Sequence, residues 1–235
     1  MSNVQLFQRL LNPCPELEVH TIGAETRMQA EQYIAGQFSR SYGAKIKDFL
    51  PLLLSLRCNN SLSAVTGICP ASDKQLFVEQ YLKHSIDVEV SKLSSQISQR
   101  STIVEIGNLA SHQRGATLLL FVLLAAVLHR ANFKWLVFTA TPYVQKTIGK
   151  MGFHLSPITE ALPHHIEPSS LADWGSYYET KPWVVTGQLE DATRTIQNNQ
   201  MLRGICALYK DRIDILANLI RNRADNNNVQ YPFAA

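Results

Sequence analysis

The chain has 235 residues, of which 46% are apolar, and a formal net charge of +3. That length can bury a sizeable core as one large domain, or as one domain with a small addition. The cations are scattered rather than clustered, which argues against nucleic acid as a partner, because phosphate backbones are bound by a concentrated basic face.

Residues 1–24 hold Pro13 and Pro15 and no periodic pattern, so an irregular segment is expected. No basic stretch is followed by an apolar one, so no signal peptide is expected, and this points to the cytoplasm. Residues 25–42 predict an amphipathic helix, with Met28, Tyr33, Ile34 and Phe38 near helical spacing and Gly43 placed to end it. Phe49–Leu56 and Ala64–Ile68 are apolar runs, and Asn59-Asn60 between them suits a hairpin turn. Residues 75–82 are ambiguous, and 85–97 fit a helix or an edge strand.

The stretch VEIGNLASHQRGATLLLFVLL, residues 104–124, has two halves. The β-branched run TIVEIGNLA, 102–110, predicts a central strand that breaks at Gly107-Asn108. A helix over 113–130 follows, apolar on every side. Its longest apolar run, Leu118–Leu128, is shorter than the about 20 residues that span a bilayer, so a buried helix is expected. Phe133–Thr139 predicts a second buried strand, and 142–151 a helix with Pro142 at its first position and Gly152 past its end. After a looser stretch, Ser176–Tyr178 and Trp183–Gly187 look like strands. Residues 190–222 form one long helical pattern through Leu202, Ile205, Tyr209, Ile213, Leu216 and Ile220, and 224–235 predict a disordered tail. The expected organisation is an irregular segment 1–24, an α/β domain 25–189, a C-terminal amphipathic helix 190–223 and the tail.

A strand that gives way to a helix through a short polar loop aims the helix N-terminus outward. Its free N–H groups can hold phosphate without a basic patch. Gly115 permits close approach, and Ser111, Gln113 and Arg114 add donors; the alternative is an ordinary helix start with a surface Arg. Cys14, Cys58, Cys69 and Cys206 lie far apart with no CxxC spacing. Reduced thiols and no metal site are expected, and His164-His165 has no evident third ligand.

The order of strand, loop, helix, strand and helix, with Gly152-Phe153 after the last, resembles the GNAT acetyltransferase superfold over roughly residues 25–190. Two departures stand out. Ala116 and Thr117 follow Arg114-Gly115 where that fold carries further loop glycines, and Ile148 stands where many such enzymes have a Tyr acid. More specific blocks are LFVEQYL (76–82), Arg100 with IVEIGNLAS (103–111), WLVFTAT (135–141), WGSYY (174–178) and VVTGQL (184–189). In this order they resemble the thermostable hemolysin family of Vibrio and relatives, itself similar to acyl-homoserine-lactone synthases.

The resemblance implies a GNAT-like mixed sheet flanked by helices, with a C-terminal helical extension. It also implies an acyl donor, either a coenzyme A thioester or the phosphopantetheine of an acyl carrier protein, and an amine acceptor. Glu105 is the candidate base, or else a carboxylate paired with Arg100 or Arg114. Asn108 could hold a substrate carbonyl or simply turn the chain. Tyr178 is the candidate acid, with Tyr177 beside it, and Trp174 is expected to pack. Leu109, Ala110, Ser111, Gln113, Arg114, Gly115 and Ala116 are the expected donor-binding segment. Glu79, Arg100, Thr139 and Thr141 are expected to meet substrate, although Glu79 could instead pair with a surface Lys.

Two functions follow from different classes. One is transfer of an acyl group from the thioester to an amine, for example that of an amino acid. The other is direct lysis of red cells by inserted amphipathic or apolar helices, with secretion or membrane association implied by the family name. Lysis could also come indirectly from an acylated, detergent-like product. No Gly-x-Ser-x-Gly elbow supports a serine lipase, and the oligomeric state stays open.

Overall fold

The structure is a computed structural model that describes residues 11, 14–72, 75–94, 96–112 and 115–225. Seven strands form one sheet in the order β1-β2-β3-β4-β5-β7-β6. They are β1 (Glu16–Thr21), β2 (Leu52–Cys58), β3 (Ser61–Pro70), β4 (Ile103–Ser111), β5 (Trp135–Ala140), β6 (Ser156–Glu160) and β7 (Trp183–Gln188). Only β4 and β5 run parallel; every other neighbouring pair is antiparallel. The helices are α1 (Arg27–Tyr42), α2 (Ile86–Leu93), α3 (Ala116–Arg130), α4 (Pro142–Gly149), the one-turn α5 (Pro168–Leu171), α6 (Leu189–Asn198), α7 (Gln200–Leu208) and α8 (Lys210–Asp225).

Strand alternation sorts the core into two faces. Val104, Ile106, Leu136 and Phe138 point to the face covered by α3 and, outside it, α6–α8. Ile103, Trp135, Val137 and Val184 point to the other face, under the 3-10 turn Phe77–Tyr81 and α2. Farther along the sheet, Ala30 and Ile34 of α1 pack on Leu53, Val65 and Ala110. α3 is sandwiched between the sheet and the C-terminal helices, so Leu119, Leu120, Val122, Leu123, Leu124 and Val127 are all fully buried. That is why it is apolar all round.

Asn59 and Asn60 both have positive φ and make the two-residue hairpin turn. Other expectations need correcting. Residues 16–21, expected to be irregular, form the edge strand β1 on β2. The unexpected β6 carries Pro157, which an edge strand tolerates because only one side of it is paired. The long C-terminal pattern is three helices. Asn199 has extended backbone, and its side chain accepts from the N–H groups of Met201 (3.0 Å) and Leu202 (3.2 Å), starting a new helix. Tyr209 interrupts the next, and its hydroxyl donates to the Pro15 carbonyl at 2.6 Å. The periodic residues from Leu202 to Ile220 are nonetheless buried against the core.

Residues 176–178 are not a strand. Gly175 has φ 51° and ψ −130°, and both the N–H and the hydroxyl of Ser176 donate to the Tyr42 carbonyl (2.9 and 3.2 Å). A 3-10 turn, Tyr177–Thr180, follows. A Cβ on Gly175 would sit 2.1 Å from the Tyr42 carbonyl oxygen. Gly175→Ala therefore combines a glycine-only backbone region with a backbone clash. It should cost about 3 kcal/mol or more, lowering the melting temperature by on the order of 10 °C in a thermal melt.

Candidate active site

β4 and β5 pair only from Ile103–Glu105 to Trp135–Val137, although β4 runs on to Ser111 and β5 to Ala140. Past that point the two strands part. The expected break at Gly107-Asn108 is instead a bulge. Gly67 of β3 pairs with Gly107 and Val65 with Ala110, so two residues of β4 oppose one of β3. Asn108 takes φ 50° there. Its side-chain oxygen accepts from the Leu50 N–H (2.9 Å) and its amide donates to the Asp48 carbonyl (3.2 Å). The Leu50 side chain fills the space a Cβ on Gly67 would need, approaching to 2.8 Å. The glycine pair and Asn108 thus staple the segment 45–50 over the bulge.

The parting of the strands opens a cavity of about 370 Å³. Glu105, Asn108 and Leu109 of β4 and Phe138 and Thr139 of β5 line one side, with Thr141 at the start of α4. Rings of Phe38, Tyr42, Phe77, Trp174 and Tyr177 line the other, in edge and tilted contacts such as Tyr42–Tyr177 at 5.3 Å. Lys45, Lys47, Asp48, Glu167 and Asp173 also border it, with Lys47 paired to Asp173 at 2.6 Å.

Glu105 is 2% exposed. Its two carboxylate oxygens accept from the backbone N–H groups of Phe77 (2.8 Å) and Val78 (3.0 Å). Burial pushes its pKa up, the two N–H bonds pull it down, and the nearby charge of Glu79 adds to the rise; the balance is about 8. A carboxyl poised there can both take and return a proton near neutral pH. It pairs with neither Arg100 nor, among the described residues, any other cation.

Thr139 and Thr141 border the cleft. The Thr139 hydroxyl accepts from Tyr177 at 3.3 Å, and Thr141 caps α4. Glu79 and Arg100 do not line the cleft; they are joined to one another at 2.5 and 3.0 Å. Tyr178 also lies outside it, with its hydroxyl 2.6 Å from that of Tyr81, and burial pushes its pKa up to about 12. Its neighbour Tyr177 reaches the cleft, as does Tyr42.

Of the expected donor-binding segment, Leu109 lines the cleft, while Ala110 and Ala116 are buried in the core. The Ser111 hydroxyl meets that of Thr117 at 2.5 Å, and Gly115, φ 85°, immediately precedes α3. Gln113 and Arg114 lie outside the described residues.

The aromatic wall has no sequence signature, because its residues come from α1 and three 3-10 turns that only the fold brings together. The nearest signal was Trp174 in WGSYY, expected to pack; it does pack, on Phe77 and Tyr177, while bordering the cavity. Among the described residues no group of three or more His, Cys, Asp or Glu side chains could hold a metal. None of their helices is long and apolar enough to cross a membrane.

The sequence profile of a family described as thermostable hemolysin matches residues 20–193. No curated protein matches significantly. Among solved structures the chain is similar to FeeM, an N-acyl amino acid synthase from uncultured soil microbes. The TM-score is 0.53 at 13% identity, over 77% of this chain and 98% of that one. It is also similar to BjaI, a coenzyme A-dependent acyl-homoserine lactone synthase, with TM-score 0.50 at 12% identity over 87% and 99% of the two chains. At these identities the likeness is one of fold, and that fold is GNAT-like.

Proposed function

The chain belongs to the thermostable hemolysin family, and on that premise we propose that it is an N-acyltransferase that moves an acyl group from a thioester to an amine. The observation that carries this is the buried, proton-poised Glu105 at the point where β4 and β5 part. Support comes also from the shared fold with FeeM and BjaI, whose names describe acyl-transferring synthases.

In this reading the donor is a coenzyme A thioester or the phosphopantetheine of an acyl carrier protein. Its pantetheine lies along the edge of β4 beyond Glu105, where β5 offers no ladder partner. Its phosphates meet the N-terminus of α3, with Gly115 and Ser111 beside them. The acceptor is an amine, that of an amino acid being the simplest case. Its neutral nitrogen attacks the thioester carbonyl, and Glu105 takes the one proton that the nitrogen sheds as the C–N bond forms. Collapse breaks the C–S bond and releases a thiolate. A model thiol has a pKa of about 8.5, so Glu105 can hand the same proton on to the leaving sulfur. No separate phenolic acid is then required, which accommodates Ile148 in α4 and the retired position of Tyr178. Asn108 serves by shaping the bulge.

Lysis by direct insertion of α3 would require opening the core, since α3 is buried on all sides. An acylated, detergent-like product gives lysis without that cost. The proposal is tested by thermal shift with acyl-coenzyme A of graded chain length. Ligand at about 100-fold above Kd should stabilise the protein by about 2.7 kcal/mol, raising the melting temperature by roughly 5–10 °C. No shift with any acyl-coenzyme A, and none with acylated carrier protein, would remove the donor site.

A further inference from the structure

We propose that the Arg100–Glu79 ion pair is the positioning device for Glu105: it fixes the 3-10 turn Phe77–Tyr81, whose first two N–H groups grip the Glu105 carboxylate. Glu79 is 8% exposed, and both of its oxygens are fully used. One accepts from the Leu76 N–H (2.6 Å), closing the turn on itself. The other accepts from the Ile86 N–H (2.9 Å), tying in the first residue of α2. The Arg100 guanidinium binds both oxygens, at 2.5 and 3.0 Å. Its Nε donates to the Ala71 carbonyl (2.9 Å), just past β3, and its Nη1 lies 3.5 Å from a carboxylate oxygen of Asp87 in α2. Arg100 opens the 3-10 turn Arg100–Thr102 that leads into β4, the strand that carries Glu105. One guanidinium therefore locks the end of β3, the turn, α2 and the start of β4 into a single unit. The Phe77 and Val78 N–H groups are held within 3.0 Å of Glu105 by that lock.

The pair also balances charge. Burial of Glu79 alone would raise its pKa, but the bonds from Arg100, Ile86 and Leu76 outweigh burial and keep it ionised. An ionised Glu79 raises the proton affinity of Glu105. Among the described residues the titratable groups near Glu105 include Glu79 and Tyr81 on the turn, Cys69 opposite it on β3, and Tyr177 and Tyr42 in the cleft; Val137 faces it from β5. The kinetic consequence rests on Glu105 being the base, and the geometric one does not.

The test is a carboxyl 13C NMR titration of the full chain labelled at glutamate, with Glu105→Gln identifying the signal. In Arg100→Gln the Glu105 midpoint should rise by about one pH unit, a tenfold change in proton affinity. Arg100→Lys restores the charge but not the two-point fork, so its rise should be smaller. The pH–rate profile should move in parallel. A purely structural pair would lower the melting temperature of both variants and leave the titration in place. An unmoved Glu105 in folded Arg100→Gln overturns the proposal, and where that variant does not fold, an unmoved Glu105 in Arg100→Lys does the same. A shifted titration in a protein that transfers no acyl group supports the positioning and overturns the proposed function instead.

Discussion

Glu105→Gln should slow acyl transfer by about 100-fold or more per folded molecule, the scale of a lost general base. The amide is nearly the same size as the carboxyl, so the cleft keeps its shape. One of the two N–H groups, of Phe77 or Val78, then faces an amide NH2 instead of an oxygen. That unmade bond costs about 1–3 kcal/mol, which a domain of about 5–15 kcal/mol tolerates. The wild-type rate should climb with pH until Glu105 is ionised, near pH 8, and level off above it. Stability runs the other way. The folded-state pKa is raised above the ordinary 4.5, so the folded protein holds this proton more tightly than the unfolded chain. The contribution is complete below about pH 4.5 and is lost as pH rises through about 8. Glu105→Gln should abolish both dependences, as read by kinetics and by melts across pH. Near-normal turnover with a lowered melting temperature would make Glu105 a structural carboxyl only.

Leu123→Lys should unfold the protein. Leu123 is fully buried in α3, between the sheet and the C-terminal helices. An ammonium there has no partner and no water, and its burial costs several kcal/mol, comparable to the whole stability of a domain. Circular dichroism melts beside a red-cell assay check this. A well-folded Leu123→Lys protein that loses only lysis would mean that α3 is a surface element held for membrane insertion, and the sheet would lose its central support.

Much of the fold was legible because periodicity reports which face of an element is buried. The apolar run of α3, the β-branched β4, the apolar β5 and the spacing from Leu202 to Ile220 all describe core positions, and they pack as such. The errors fall where local backbone bonding decides. Gly107-Asn108 has the composition of a strand end, yet Asn108 bonds to Leu50 and Asp48 and turns the break into a bulge. WGSYY has strand-like aromatics, but Ser176 spends its donors on Tyr42. Asn199 was a visible cap signal inside a pattern long enough to hide it.

The candidate site was less legible than the fold. The family resemblance pointed to Glu105, Thr139 and Leu109, and a parallel strand–helix–strand unit puts the ends of their strands together. The partners of Glu105 could not be placed. They are backbone N–H groups of a 3-10 turn nearly 30 residues away, and backbone donors have no sequence signature. Glu79 stood out as a charge among apolar residues and Arg100 only as part of a matching block, and neither signal says whether the residue is paired or functional. Only their mutual contact shows that they are spent on each other and on the turn.

The central claim is that the gap between β4 and β5 is an acyl-thioester site served by Glu105. A crystal structure of the protein with a non-hydrolysable acyl-coenzyme A analogue tests it most directly. The account predicts the analogue's carbonyl carbon in the cleft beside Glu105, its pantetheine along the free edge of β4 and its phosphates at the N-terminus of α3. An analogue seated elsewhere, with the cleft empty beside Glu105, would contradict it.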